Sequence, residues 1–337
     1  MIFPAFLKKN GMIGISAPSA GVGHKLESFD RSLDMLRRRG FQLKETASVR
    51  VNGERGGSAK ERGEELNALF LDDTVDLVMA ASGGDFLDEC LPYVDFDLIS
   101  ARPKFLCGGS DPTGLLYPIT TLLDIATIYG FNAGSFDPEG FELAEGVLPD
   151  FLEDSLKILQ GTDVTERSSK LHLSKPAFLA ESLRYDKETS WRSNVGEIRV
   201  RGRVLGGCID CLKDLIGTRY DGTIRFVEKY REDGVIWYFD NFSLSAEVLY
   251  RTFLQMDYAG WFDSAKAVIV GRTLFESMHT SMDYEEAIRT AFPKIPVIWE
   301  ADIGHTIPHM TMINGALADL TFDGASGSGT IRHLPGL

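Results

Sequence analysis

The first half of the chain alternates between two hydrophobic periods, and this alternation restricts the folds available to it. Short apolar runs typical of buried strands, such as residues 12–17, precede segments with apolar residues at helical spacing, such as the one that starts at Leu26. Alternating strands and helices are typical of a mostly parallel sheet flanked by helices. We therefore predict an N-terminal α/β domain over residues 1–165.

The second half of the chain predicts a second, smaller domain of mixed α/β, β-rich character. Residues 166–197 are rich in Ser, Lys, Thr and Arg, which is typical of a linker or surface loop. Residues 198–337 then contain strand and helix patterns, with several short strands near the C-terminus. We expect the two halves to fold around separate cores.

Length, composition and charge limit the class of protein. A chain of 337 residues is too long for one ordinary core, and no apolar run approaches the roughly 18 residues of a membrane span. Residues 1–10 lack the basic-then-apolar order of an export signal, so we expect a cytoplasmic location. Four cysteines argue against a disulfide scaffold, and a formal charge of −14 argues against nucleic acid or an anionic membrane as the main partner.

Residues 103–116 contain the strongest candidate for chemistry. A short apolar strand is followed by two glycines, by Ser110 and by the start of an apolar helix. This order predicts a strand-to-helix corner like a nucleophile elbow, in which the serine hydroxyl leaves the sheet and helix N–H groups face a developing anion. Pro112 breaks the usual G-x-S-x-G spacing, and an ordinary helix N-cap is the alternative for Ser110.

A serine nucleophile needs a base and a third group that orients the base. His305 follows the apolar strand at residues 296–299, and strand ends are where α/β proteins gather functional side chains; His309 is its near rival. Asp240 ends another apolar strand and can reach a histidine in a neighbouring loop. The alternatives are a loop histidine bonded to a carbonyl group and a turn aspartate bonded to its own backbone.

Gly83 and Gly84 follow a third predicted strand. Glycines at this position let backbone N–H groups approach an oxyanion closely, and the N–H group of Asp111 can complete such a hole. A simple tight turn explains the two glycines equally well.

Two other motifs give weaker signals. Gly21 and Gly23 follow the first strand, but Leu26 stands where a dinucleotide fingerprint has its third glycine. Cys208 and Cys211 form a C-x-x-C motif without the second pair that a zinc site needs, and we interpret them as structural. Neither motif predicts a metal or a cofactor.

Taken in order, these segments resemble the serine carboxypeptidase family that contains LD-carboxypeptidases and microcin self-immunity peptidases. The resemblance extends over nearly the whole chain, and several ordered motifs are more specific than any single one. The motifs are residues 13–19, Arg62 with Leu66-Asn67 and Phe70, Gly83-Gly84, residues 103–104 and 109–113, residues 202–207, residues 215–218, the Asp240 strand, Gly271-Arg272 and residues 304–306.

The resemblance implies a Ser–Glu–His triad divided between two domains, with Ser110 as the nucleophile and His305 as the base. The N–H groups of Gly84 and Asp111 would form the oxyanion hole. It also implies hydrolysis of an amide bond near a free C-terminal carboxylate, including the L,D bond to the last D-alanine of murein tetrapeptides, through an acyl-enzyme and without metal or cofactor. A small peptide or muropeptide is the expected partner, and relatives suggest a homodimer.

Two residues depart from the family pattern. Asp240 stands where a glutamate is usual, so that the acid is shorter by one methylene. Because triads depend on hydrogen-bond distances, the loop must move inward, a water must intervene, or turnover must be weak. Ser82 stands before Gly83 where many relatives have arginine, so carboxylate recognition can differ, and Ser82 and Gly83 become candidate substrate-binding residues.

Two further functions stay open. A microcin-type hydrolase would cleave an aminoacyl or peptidyl nucleotide at its amide bond, and Trp191 is the candidate aromatic side chain for binding such a substrate. A non-catalytic peptide-binding relative is the other alternative, suggested by Asp240 in place of glutamate.

Overall fold

This computed structural model divides into two units, Met1–Asp163 and Val164–Leu337. Buried apolar strands organise the first unit. The structure describes residues 1–139, 141, 147–175 and 183–336. The strands of the first unit are β1 (Met12–Ser16), β2 (Gln42–Glu45), β3 (Leu77–Ala80), β4 (Phe105–Gly108) and β5 (Thr127–Tyr129). Its α-helices are α1 (Leu26–Arg38), α2 (Ala59–Leu71), α3 (Phe96–Ala101), α4 (Thr113–Leu123) and α5 (Asp150–Leu159).

The five strands of the first unit lie in the order β5-β4-β3-β1-β2, and all neighbouring pairs are parallel. Every residue of β3 and β4 is buried, which explains why these strands are apolar throughout instead of alternating. Since β3 and β4 are parallel neighbours, the segments after them, at Gly83 and at Ser110, leave the same edge of the sheet. This edge is where doubly wound folds carry their sites.

Local signals set the helix ends of this unit. In α2 the hydroxyl of Ser58 accepts from the N–H group of Glu61, and the Glu61 carboxylate accepts in return from the Ser58 N–H group, so that both free donors are satisfied. Helix α1 ends at Arg38, and Gly40 follows in the left-handed region with φ of 94°, as the glycine after the basic turn predicts.

The second unit is built on a mixed sheet of eight strands in the order β6-β16-β15-β10-β11-β12-β13-β9. Strands β10 to β13 are parallel, and the flanking pairs are antiparallel. The strands of this unit are β6 (Thr165–Arg167), β7 (Leu171–His172), β8 (Lys187–Glu188), β9 (Arg192–Ser193), β10 (Glu197–Cys208), β11 (Val235–Asp240), β12 (Ala265–Gly271), β13 (Val297–Ala301), β14 (Met312–Asn314), β15 (Leu317–Asp323) and β16 (Ser328–Leu334). Its α-helices are α6 (Ile209–Leu215), α7 (Thr223–Lys229), α8 (Ala246–Tyr258) and α9 (Tyr284–Ala291).

The boundary between the units differs from the predicted linker at 166–197. Strand β6 pairs with β16, and β9 pairs with β13, so that both ends of this stretch belong to the second sheet. Residues 176–182, in its middle, lie outside the described residues. With this stretch included, the second unit is the longer of the two. Polar composition suggested a linker because edge strands with one solvent-facing side carry many polar residues.

The predicted α/β class is what the structure shows in both units. None of the described helices has the length and apolar character to cross a membrane.

Candidate active site

Ser110 occupies a strained strand-to-helix corner between β4 and α4. Its φ is 69°, in the left-handed region where a non-glycine residue costs about 1–2 kcal/mol. Pro112 is the N-cap of α4, and no side chain caps this helix, so Ser110 does not have the N-cap role that the sequence left open. Within the described residues of the first unit, the Ser110 hydroxyl has no hydrogen-bond partner. The corner therefore presents a hydroxyl that the unit does not use structurally.

Hydrogen bonds on both sides hold this corner in place. The Asn132 side chain accepts from the Gly109 N–H group and donates to the Gly109 carbonyl, each at 3.1 Å, while the Tyr129 hydroxyl accepts from the Ser110 N–H group at 3.3 Å. The buried Asp111 carboxylate accepts from the Ser19 hydroxyl and from the N–H group of Leu87. Burial raises the pKa of Asp111 despite these bonds. Such bracing lets a strained conformation persist.

Gly83 and Gly84 bring the backbone after β3 directly against this corner. A Cβ atom on Gly83 would lie 2.9 Å from Ser110 Cβ and 3.1 Å from Ser110 Oγ, so only glycine fits without displacing the serine. Gly84 has φ of 153°, and a Cβ there would overlap the Ser19 hydroxyl. These contacts explain the two glycines better than a simple tight turn does, because both positions are limited by the approach of other groups.

Asp240 and His305 form a hydrogen-bonded ion pair in the second unit. Asp240 ends β11 and is fully buried, and His305 lies in the loop after β13. His305 Nδ1 is 2.8 Å from Asp240 Oδ2 and 3.1 Å from Oδ1. The aspartate therefore reaches the imidazole directly, and the shorter side chain needs no bridging water.

Gly304 explains how the shorter acid reaches the ring. Its φ is 102°, and a Cβ atom at this position would overlap the Asp240 carboxylate. The backbone that carries His305 thus approaches Asp240 more closely than any residue with a side chain permits. This is the inward loop position that an aspartate in place of glutamate requires.

The surroundings of His305 favour a strong base. Burial by itself lowers the pKa of His305, but the charge of Asp240 and its hydrogen bond outweigh this effect and raise the pKa above its ordinary value. With Nδ1–H donating to Asp240, the other nitrogen, Nε2, carries the lone pair. The Phe242 ring packs on the imidazole with centroids 4.6 Å apart and limits its rotation.

Asp210 fixes the segment that follows Asp240, and sequence reasoning missed it. Its carboxylate accepts from the N–H groups of Phe242 and Ser243, at 2.9 Å and 3.1 Å, and from the Ser243 hydroxyl at 2.9 Å. Asp210 lies inside the C-x-x-C motif, whose spacing points to the cysteines. Cys208 is buried, and its hydrogen bond with Cys211 and its burial raise the pKa of its thiol, which leaves it unreactive.

A buried ion pair between Arg272 and Asp302 braces the loop that carries His305. The Arg272 guanidinium lies 2.8 Å from Asp302 Oδ1 and also donates to Thr306 Oγ1 and to the carbonyl groups of Glu300 and Pro308. Both charged side chains are almost fully buried. One planar cation therefore ties four points of the loop together.

Three other predicted candidates have different surroundings. His309 Nδ1 lies 3.0 Å from the Met310 carbonyl, and burial lowers the pKa of His309 to about 4, so it matches the carbonyl-bonded alternative that was open for both histidines. Trp191 is only 1% exposed, and its indole N–H donates to Asp302 at 2.9 Å, which places it in the core instead of on a ligand-facing surface. Ser82 accepts a hydrogen bond from Lys25 Nζ at 3.2 Å.

No group of metal-ligating side chains suited to hold an ion occurs among the residues that the structure describes.

Two family models match the chain in the order in which the units occur. The LD-carboxypeptidase N-terminal domain matches residues 13–130, and the LD-carboxypeptidase C-terminal domain matches residues 201–320. This chain belongs to the LD-carboxypeptidase family. The first match contains Ser110, and the second contains Asp240 and His305.

This LD-carboxypeptidase family member aligns with individual relatives over most of their length. It is 26% identical to the microcin C7 self-immunity protein MccF of Escherichia coli, over 96% of this chain and 93% of that protein. It is 25% identical to a Bacillus subtilis protein named "Probable murein peptide carboxypeptidase", over 68% and 66% of the two chains. A solved structure of MccF in complex with glutamyl sulfamoyl guanosine has a TM-score of 0.77 and 25% identity, with 98% of each chain covered.

Proposed function

We propose that this chain hydrolyses an amide bond next to a free C-terminal carboxylate, with Ser110 as the nucleophile, His305 as the general base and Asp240 as the residue that orients the base. The observation that carries the proposal is the buried contact of 2.8 Å between Asp240 and His305 Nδ1, which leaves Nε2 as the proton acceptor. A surface histidine would have no reason for such a partner.

In the proposed acylation, Ser110 Oγ attacks the carbonyl carbon of the scissile amide while His305 Nε2 takes the hydroxyl proton. The negative charge on the carbonyl oxygen is stabilised by the N–H groups of Gly84 and Asp111, each worth on the order of 10²–10³ in rate. When the intermediate collapses, the C–N bond breaks, and the proton on His305 passes to the leaving amine. An ester with Ser110 remains. A water molecule then attacks the ester carbonyl while His305 Nε2 takes its proton, and that proton passes to Ser110 Oγ as the ester bond breaks.

Murein tetrapeptides that end in D-alanine are the substrates we favour, with the L,D bond to that residue as the bond that is cleaved. Membership in the LD-carboxypeptidase family and the likeness to the Bacillus subtilis protein support this substrate. Hydrolysis of an aminoacyl or peptidyl nucleotide amide is the second candidate, supported by the likeness to MccF. The burial of Trp191 weakens it, because the aromatic side chain expected to bind a nucleotide is occupied in the core.

The test compares release of D-alanine from a murein tetrapeptide with hydrolysis of an acyl sulfamoyl adenosine, for the wild-type chain and for Ser110→Ala. We expect the tetrapeptide to be the better substrate and Ser110→Ala to lose about 10⁴-fold or more in kcat, since the nucleophile is removed. Ser100→Ala, an exposed serine in α3, is the control and should keep wild-type activity.

Labelling separates the hydrolase from a non-catalytic binding protein. A serine-reactive phosphonate should modify Ser110 in the wild-type chain and leave the Ser110→Ala variant unlabelled. Undiminished hydrolysis in Ser110→Ala, or no labelling at Ser110, would refute the proposed mechanism.

A further inference from the structure

Lys25 provides a cation beside the Ser110 corner, within the first unit. Its ammonium group donates to Ser82 Oγ at 3.2 Å. Ser82 directly precedes Gly83, the residue on which a Cβ atom would lie 3.1 Å from Ser110 Oγ. The cation is therefore held one residue away from backbone that touches the proposed nucleophile.

This cation differs from its neighbours in having no carboxylate partner among the described residues. Four arginines on flanking segments of the chain are all engaged in ion pairs: Arg31 with Asp137, Arg50 with Glu45, and Arg55 and Arg62 with Glu89. Lys25 is an exposed residue, yet desolvation around its ammonium group lowers the pKa of Lys25. A partly desolvated cation whose partner is a single hydroxyl can still bind an anion favourably.

The chemistry of a C-terminal amide fixes where such an anion must lie. Three covalent bonds separate the attacked carbonyl carbon from the carbon of the terminal carboxylate. A group that recognises this carboxylate must consequently stand within a few ångströms of the nucleophile. Lys25 is connected to this position through Ser82, because the next residue, Gly83, packs against Ser110.

We propose that Lys25 Nζ binds the terminal carboxylate of the substrate, with the Ser82 hydroxyl accepting from the ammonium group and donating its own proton to the carboxylate. This inference rests on the proposed function. It assigns the substrate selectivity of that function to Lys25, which lies on a different segment of the chain from Ser82. Lys25 makes the chain selective for free peptide acids over the corresponding amides.

The experiment measures kcat/KM for a peptide that ends in D-alanine and for the same peptide that ends in D-alaninamide. Lys25→Met should lower kcat/KM for the free acid by about 10- to 100-fold, the usual loss for a charge-assisted hydrogen bond, and leave the value for the amide unchanged. Lys25→Arg should retain most of the activity on the acid, because it keeps the positive charge. Lys9→Met, which removes an exposed lysine elsewhere in the first unit, is the control and should change neither value.

Binding in the Ser110→Ala background separates failure of this inference from failure of the proposed function. Calorimetry should show tighter binding of the acid than of the amide, and Lys25→Met should abolish that difference. Equal loss on both peptides, or no loss on the acid, would overturn the role of Lys25. If the wild-type chain hydrolyses neither peptide, the proposed function fails, and the calorimetric difference still supports or overturns carboxylate binding by Lys25.

Discussion

The Ser110 corner and the Asp240–His305 pair are assembled by different kinds of interaction. The corner depends on backbone shape: a left-handed serine, and two glycines whose Cβ positions other atoms occupy. The pair depends on buried charge, because a fully buried carboxylate meets a part-buried imidazole 65 positions along the chain.

The two regions therefore fail in different ways. A substitution at the corner changes geometry and leaves the charges of the unit unaltered. A substitution at the pair changes charge, and with it the pKa of the base. Variants of the two regions therefore separate the effect of shape from the effect of charge.

Among variants of the Asp240–His305 pair, Asp240→Asn gives the largest effect, and it tests charge because the amide has almost the shape of the carboxylate. We expect kcat to fall by about 10³–10⁴-fold, since the amide no longer orients the imidazole or stabilises its protonated form. Burial lowers the pKa of His305 and Asp240 raises it, so removal of the charge lowers the pKa. The acidic limb of the kcat/KM profile should consequently move to lower pH, which a pH series from 4 to 9 measures.

The control for this variant is Asp257→Asn, an exposed aspartate in α8 that should leave both rate and profile unchanged. An acidic limb at the same pH in Asp240→Asn and in the wild-type chain would contradict the role given to Asp240.

Gly304→Ala tests shape at the region that charge dominates. The added Cβ would overlap the Asp240 carboxylate, so we expect the contact with His305 to be displaced and kcat/KM to fall by about 10²-fold. Gly217→Ala is the matched control: Gly217 also has positive φ, 77°, but nothing lies within 4 Å of its Cβ position. It should be less stable by about 1 kcal/mol and fully active. Equal activity of the two alanine variants would show that the close approach at Gly304 is unimportant.

Local sequence sufficed to predict much of the fold and the Ser110 corner. A strand, glycines, a serine and an apolar helix follow each other within a few residues, so no distant contact is needed to recognise them. Asp240 and His305 were identified as strand-end residues, but their contact could not be derived, because it depends on β11, β12 and β13 being neighbours in the sheet.

Other features escaped prediction because only the folded sheet creates them. Trp191 lies in a polar stretch, and its burial follows from the pairing of β9 with β13 and from its bond to Asp302. Lys25 becomes notable only when Ser82 is found beside it. Burial and charge pairing between distant segments leave no local pattern in the sequence.

Arg272→Met gives the smallest effect on the rate and tests whether the charge in the second unit also maintains shape. Loss of the guanidinium leaves Asp302 buried with its other donors, Ser169 and Trp191, and frees the loop that carries His305. Breaking a buried pair costs about 3–5 kcal/mol, so the midpoint of urea unfolding should fall clearly. We expect kcat to drop only about 10-fold, because Asp240 still holds the imidazole.

Arg199→Met, which removes an exposed arginine from β10, should cost at most about 1 kcal/mol. Arg272→Lys should lie between the two variants, since one ammonium group cannot contact all four of the loop groups that Arg272 joins. If Arg272→Met were as stable and as active as Arg199→Met, the backbone alone would hold the His305 loop. The Asp240–His305 pair would then depend on backbone shape, as the Ser110 corner does.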